Sequence, residues 1–235
     1  YKRQQELSPE AHLDFAKKWG PINVNRFFTP VEGYPSIAEV RKEPHQQYNI
    51  GGNWHTDHSY DQIPALGSML YAKELPKVGG DTLFAGCAAA FDTLSEGMKS
   101  TLRSLRAVHS SRHVFGKSAA IPDDMADLFG NADKALQDAE HPVVIKHPLS
   151  GRETLYVNPG FTTRFVGWTE KESNSLLAFL YEHISRPEHT YRFQWSKGAL
   201  AFWDNRATWH LAVNDYPGET RLMHRITIEG EPLEP

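Results

Sequence analysis

The sequence predicts an α+β fold that is mainly β: a double-sheet jelly roll with flanking helices. Many short β-prone runs are separated by Gly and Pro turns, and only a few segments carry a helical period. No internal repeat is visible over the 235 residues, which argues against a solenoid or propeller.

The elements follow in order. A first helix starts at Ser8 as N-cap, with Pro9 in the first helical position, and stops at Gly20. Residues 21–60 read as short strands and loops, broken by Pro21, Pro30, Gly33, Pro35, Gly51 and Gly52. Gly67 to Ala72 reads as a buried strand, Gly79-Gly80-Asp81 as a turn and Thr82-Leu83-Phe84 as a short strand. Ala88 to Leu105 is helical in character, broken near Ser95-Glu96-Gly97. Residues 116–140 lack apolar period and read as a lid or a surface insertion. Strands follow at Val143–His147 and Thr154–Asn158 around the Ser150-Gly151 turn. Thr169 to Ser185 has a capping box and an apolar stripe of Leu176, Leu177, Leu180 and Ile184, which predicts a helix. Strands at Ala199–Trp203, Thr208–Val213 and Arg221–Ile228 close the chain.

With no break in composition, residues 1–235 read as one domain with a core large enough to need no staple. A net charge of -4 and a pI near 6.3 argue against nucleic acid as a partner. No apolar run approaches the roughly 18 residues of a membrane span. Cys87 is the only cysteine, so no disulfide framework or Cys-based zinc site exists, and a reducing cytoplasm is expected. It reads as a packed thiol.

His55-Thr56-Asp57 carries the chemistry. On a helix a His and an Asp two residues apart diverge by about 200°; on a strand they share one face and can grip one ion. A second such pair, His12-Leu13-Asp14, falls inside the first helix and reads as a solvated helix face. A third ligand for His55 and Asp57 is expected on another strand, and His210 is the best candidate, since two His and one carboxylate hold one face of an iron. Arg221 and Arg225 share a strand face with Met223 and Thr227; they are either solvated or face the lumen, where two guanidiniums need anions. His58, His109, His113, His141, His147 and His224 show no mutual metal spacing and read as structural or surface residues. Trp203 and Trp209 read as core, and Asp204-Asn205-Arg206 as a turn network.

The chain resembles the taurine dioxygenase / 2,4-dichlorophenoxyacetate dioxygenase (TauD/TfdA) family of Fe(II)- and 2-oxoglutarate-dependent oxygenases. The resemblance rests on Asn53-Trp54-His55-Thr56-Asp57, Ala72-Lys73-Glu74-Leu75-Pro76 and Gly79-Gly80-Asp81-Thr82-Leu83. It continues through Leu155 to Thr163 and Trp203-Asp204-Asn205-Arg206, and ends at Arg221-Leu222-Met223-His224-Arg225. The family fold is a double-stranded β-helix, cupin-like. The resemblance implies that His55, Asp57 and His210 ligate Fe(II), with 2-oxoglutarate and O2 as co-substrates. It implies that Thr82 and Arg221 bind the distal carboxylate of 2-oxoglutarate. Arg225 would lie beside the co-substrate and an anionic group of the prime substrate, and Phe161 would wall the substrate pocket.

The reaction implied is decarboxylation of 2-oxoglutarate to succinate and CO2, coupled to hydroxylation of a small anionic substrate. A carboxylate, sulfonate, sulfate ester or phosphonate fits, with cleavage where the hydroxylated carbon bears a leaving group. Asn25 and Gly51 stand where the taurine enzyme holds its sulfonate with other residues, so taurine is not the expected substrate. Relative to the family the chain begins late, so an early segment that can contribute to a lid is expected to be missing. Dimers and tetramers are common in the family, so a homo-oligomer is expected. Two other readings remain: a zinc hydrolase using the same His/Asp/His set, and a non-catalytic jelly-roll binding protein.

Overall fold

Ser8 caps the first helix as its sequence requires, its hydroxyl accepting from Ala11 N. The computed structural model describes residues 4–117, 119 and 132–235. Helix α1 (Pro9–Ala16) ends a turn earlier than Gly20 predicts. His12 and Asp14 do diverge on it, but His12 is not solvated: it is buried against Tyr71, while Asp14 stays in water. The apolar stripe of α1 packs on a sheet, and His12 lies within that stripe.

Strands β1 (Ile22–Asn23), β2 (Pro30–Val31), β3 (Tyr34–Lys42) and β4 (Gly67–Glu74) come next. Strand β5 (Thr82–Gly86) leads directly into α2 (Cys87–Asp92), and Ser95 caps α3 (Glu96–Arg103). After β6 (Arg106–Ser110) and α4 (Arg112–Phe115) the chain reaches β7 (Asp138–Pro142), β8 (Val144–Lys146), β9 (Glu153–Leu155) and β10 (Thr162–Phe165). Helix α5 (Glu170–Ile184) has the reciprocal Thr169–Glu172 capping box. Strands β11 (Thr190–Phe193), β12 (Leu200–Asp204), β13 (Thr208–Ala212) and β14 (Arg221–Ile228) complete the chain.

The protein is α+β and mostly β, with every strand pair antiparallel. One sheet runs β12-β4-β14-β3-β2, with β1 on β14; a second runs β11-β5-β13, a third β10-β6-β7, and β8 pairs β9. Strands β6, β7, β10 and β11 escape the sequence pattern because they are short and partly polar, so tertiary pairing rather than propensity makes them strands. Strand β7 occupies the end of the 116–140 segment; residues 118 and 120–131 of that segment lie outside the described residues. Among the described residues no helix is long and apolar enough to cross a membrane.

Helix α5 lays Leu177, Leu180 and Ile184 onto a core shared with Phe91, Val144, Leu155 and Trp209. Two further apolar clusters sandwich the large sheet, with Ile226 and Ile228 in one and Met223 in the other. Strand β14 is therefore covered on both faces. That overturns the simpler expectation for Arg221 and Arg225: neither is solvated, at 3% and 7% exposed.

Candidate active site

His55 and His210 are joined by an isolated antiparallel bridge between the 53–58 segment and β13. The segment is not the strand predicted for it; only His55 is paired, and Asp57 opens a turn in which His58 has φ 58°. Local alternation survives, because the buried Thr56 hydroxyl donates to Asn205 O at 2.6 Å. The side chains of His55 and Asp57 are left to converge with His210.

These three ligand atoms lie within 4.8 Å of one another. His55 Nε2 is 3.7 Å from Asp57 Oδ1, and His210 Nε2 is 3.7 Å from Asp57 Oδ2. That is too long for a hydrogen bond and suits ligands that share one ion. His55 Nδ1 donates to Asn53 O at 2.8 Å, which leaves the Nε2 lone pair for a metal. Burial pushes both imidazoles below their usual range, so they are neutral, as ligands must be. Burial alone would raise the Asp57 pKa, but the Arg225 guanidinium holds it far below the usual carboxylate range. Arg225 Nη2 is ion-paired with Asp57 Oδ2 at 2.9 Å. The donor set fits a divalent iron.

A small cavity of about 40 Å³ is lined by His55 and His210 of the triad together with Thr82 and Arg221. Strand β5 supplies Thr82 and pairs with β13, so the register Ala212↔Thr82 fixes one wall of the cavity relative to His210. Arg221 Nε donates to Gly80 O at 3.0 Å, and Nη2 reaches Thr82 Oγ1 at 3.5 Å. Trp195 Nε1 also donates to Thr82 Oγ1, at 2.9 Å. Among the described residues Arg221 forms no ion pair, and burial lowers its pKa from the usual guanidinium value. A buried cation without a counter-ion is unfavourable, so the cavity beside Arg221 is built for an anion.

The profile of the Taurine catabolism dioxygenase TauD, TfdA family matches residues 3–227. The chain belongs to the TauD/TfdA family. It is 34% identical over 234 residues to an alkylsulfatase of Acinetobacter baylyi, covering 98% of this chain and 72% of that one. It is 33% identical over 235 residues to an alpha-ketoglutarate-dependent sulfate ester dioxygenase of Pseudomonas putida, covering 98% and 76%. The crystal structure of a taurine dioxygenase from Burkholderia xenovorans superimposes with a TM-score of 0.80 at 33% identity, covering 97% of this chain and 75% of that one.

In this TauD/TfdA chain a second cavity of about 850 Å³ also reaches the triad. Asn25, Gly51, Phe161 and Arg225 all line it, as do His55 and Asp57. Arg225 borders both cavities, but its guanidinium is directed to Asp57. Asn25 spends its amide oxygen on the Phe27 and Phe28 backbone N–H groups, so that atom is taken. Gly51 has φ 75°, and a Cβ there would stand 3.0 Å from His55 Cε1.

Several lining residues carried no sequence signal. His58 and His113, read as structural or surface, both line the large cavity. His58 Nδ1 is 3.0 Å from Asp61 Oδ2, and Asp61 takes a bidentate contact from Arg26 at 2.6 and 2.8 Å. His113 Nε2 donates to Gly160 O at 2.9 Å. Tyr60, Phe115 and Phe161 form an aromatic wall, with Tyr60–Phe161 centroids 4.8 Å apart. Only the His-x-Asp spacing next to His58 and Tyr60 could have drawn attention to them. Trp203 and Trp209 are buried as expected, and Cys87 is a packed thiol with its pKa pushed up to about 12 by burial.

Proposed function

We propose that this chain is an Fe(II)- and 2-oxoglutarate-dependent dioxygenase, coupling oxidative decarboxylation of 2-oxoglutarate to succinate and CO2 with hydroxylation of an anionic organic substrate. One observation carries the reading: a cavity lined by His55, His210 and a buried Arg221 that forms no ion pair among the described residues. A dicarboxylic oxo-acid suits both the metal ligands and the guanidinium. A zinc hydrolase would leave Arg221 without a purpose, and a binding protein would have no need of the triad.

The bound iron, with 2-oxoglutarate and O2, supplies the oxidising power. His55, Asp57 and His210 would hold it. Arg221 and Thr82 would hold the distal carboxylate by charge-assisted hydrogen bonds, orienting the co-substrate. The large cavity receives the prime substrate. Its aromatic wall of Phe28, Tyr60, Phe115 and Phe161 suits an apolar body, and Arg225 supplies positive charge beside it. The alkylsulfatase and sulfate ester relatives support a sulfate ester or sulfonate headgroup. Hydroxylation of the carbon that bears such a leaving group ends in cleavage. Asn25, tied to the backbone, and Gly51, with no side chain, argue against taurine.

Two antiparallel sheets contribute β13 and β14 to the lining of the small cavity, which supports reading the chain as one jelly-roll domain over residues 1–235. A cytoplasmic homo-oligomer, dimer or tetramer, completes the reading.

Anaerobic addition of Fe(II) and 2-oxoglutarate gives a weak visible charge-transfer band in this reading. Aerobic incubation with a panel of alkyl sulfates, sulfonates, aryloxyalkanoates and phosphonates gives succinate, with oxidised products identified by mass spectrometry. A featureless spectrum together with no succinate across the panel sinks the proposal.

A further inference from the structure

We propose that Ser68 and Arg225 clamp the Oδ2 atom of Asp57 and so reserve Oδ1 for the metal, making Asp57 a one-oxygen ligand. This rests on the reading of His55, Asp57 and His210 as iron ligands.

The two carboxylate oxygens are treated differently. Ser68 Oγ donates to Oδ2 at 2.7 Å, and Arg225 Nη2 is ion-paired with the same atom at 2.9 Å. One hydrogen bond and one ion pair thus act on the same oxygen. Oδ1 accepts no hydrogen bond among the described residues; His55 Nε2 stands 3.7 Å from it, as His210 Nε2 does from Oδ2. A metal approaching the triad therefore meets one oxygen already held by Ser68 and Arg225 and one that accepts no hydrogen bond among the described residues. Were both oxygens to bind, Asp57 would fill one of the three coordination positions that this ligand set leaves for the oxo-acid and O2.

Ser68 is oriented for this task. It is fully buried on β4, opposite Trp203 of β12 and Thr227 of β14. Asn205 Nδ2 donates to Ser68 Oγ at 3.3 Å, so the serine proton is left for Asp57. Asn205 is held in turn: Trp203 Nε1 donates to its Oδ1 at 2.9 Å, and Thr56 Oγ1 to its carbonyl at 2.6 Å. The chain of donors thus starts in the core and ends on the iron ligand. Ser68 is a positioning residue, acting through Asp57.

The test compares wild type with Ser68→Ala and with Ser68→Cys, whose thiol fills similar space with a weak donor. Fe(II) affinity is measured anaerobically by calorimetry. Carboxylate stretching bands are read from infrared difference spectra, metal-loaded minus metal-free, with labelled Asp. Wild type shows the wide splitting of a one-oxygen carboxylate. Ser68→Ala narrows the splitting and weakens Fe(II) binding about 10–100-fold, the usual effect of losing a partner of a ligand; Ser68→Cys falls between. If Ser68→Ala does not fold, Ser68→Cys decides. Wild-type splitting and affinity in the variants overturn the clamp, even if their metal-free melting temperature drops, since that is a structural effect alone. A wild type that binds no Fe(II) overturns the metal reading itself.

Discussion

His55 and His210 exchange both of their backbone hydrogen bonds: His55 N donates to His210 O at 3.1 Å, and His210 N to His55 O at 2.8 Å. Residues opposed in this way carry their side chains on one face, and the two ring centroids are 4.1 Å apart. The backbone thus presets two of three ligands, and Asp57 follows two residues on. Folding and metal binding are linked here. At a free Fe(II) or Co(II) concentration of about 100 times Kd, the folded state gains about 2.7 kcal/mol, a rise of roughly 5–10 °C in melting temperature. Asp57→Ala is expected to abolish both that rise and succinate formation. Thermal melts with and without metal check it; an undiminished shift in the variant contradicts the assignment.

The parts of this site differ in how far the sequence revealed them. His55, Asp57 and His210 were legible because metal chemistry constrains residue type and spacing, and the strand ends at β4, β5, β12, β13 and β14 were marked by period and turns. His12 was misread because α1 is too short for one polar residue to betray which face is buried. Ser68 was read only as a member of a buried strand, since nothing local marks a serine that bonds to a residue eleven positions earlier. The burial of both arginines of β14 depends on its place between β4 and β3, a tertiary fact that one strand cannot declare.

Arg221 should separate stability from co-substrate binding. Its buried guanidinium has hydrogen bonds to Gly80 O and Thr82 Oγ1 but no ion pair among the described residues. Arg221→Met removes an uncompensated charge and keeps much of the volume, so the free protein should melt at the same or a higher temperature. The variant should lose about 1.5–3 kcal/mol of 2-oxoglutarate binding, roughly 10–100-fold in affinity. Calorimetric titration of Fe(II)-loaded protein with 2-oxoglutarate, beside melts of the free protein, reads both. Unchanged affinity refutes the role.

Gly51 tests how tightly His55 is housed. Its φ of 75° disfavours any side chain, and a Cβ would lie 3.0 Å from His55 Cε1. Gly51→Ala should cost roughly 1–2 kcal/mol in stability from backbone strain. It should also displace the imidazole and weaken Fe(II) binding about tenfold or more. Binding measured at a temperature well below both melting points isolates the second effect. Wild-type metal affinity in a destabilised variant means that His55 simply moves aside.

His12 predicts a specific weakness in acid. Burial, with His224 nearby, lowers its pKa to about 4 from the usual 6.5, and neither ring nitrogen has a hydrogen-bond partner. In the unfolded chain the imidazole takes up a proton near pH 6.5; in the folded protein it resists until about pH 4. Between these values the unfolded state binds more protons, so stability falls as pH falls and the full amount is present above pH 6.5. The single-site loss approaches about 3 kcal/mol at the acid end and is about 2 kcal/mol at pH 5. Buried His109 and His141 also have lowered pKa values from burial, so the wild type loses more than this in total. His12→Leu keeps an apolar side chain against Tyr71 and removes one titrating group. Urea unfolding at pH 7.5 and pH 5 should show the variant gaining about 2 kcal/mol on wild type between the two conditions. Parallel losses in the two proteins would mean that His12 is protonated in the folded state after all, or that the helix opens before it titrates.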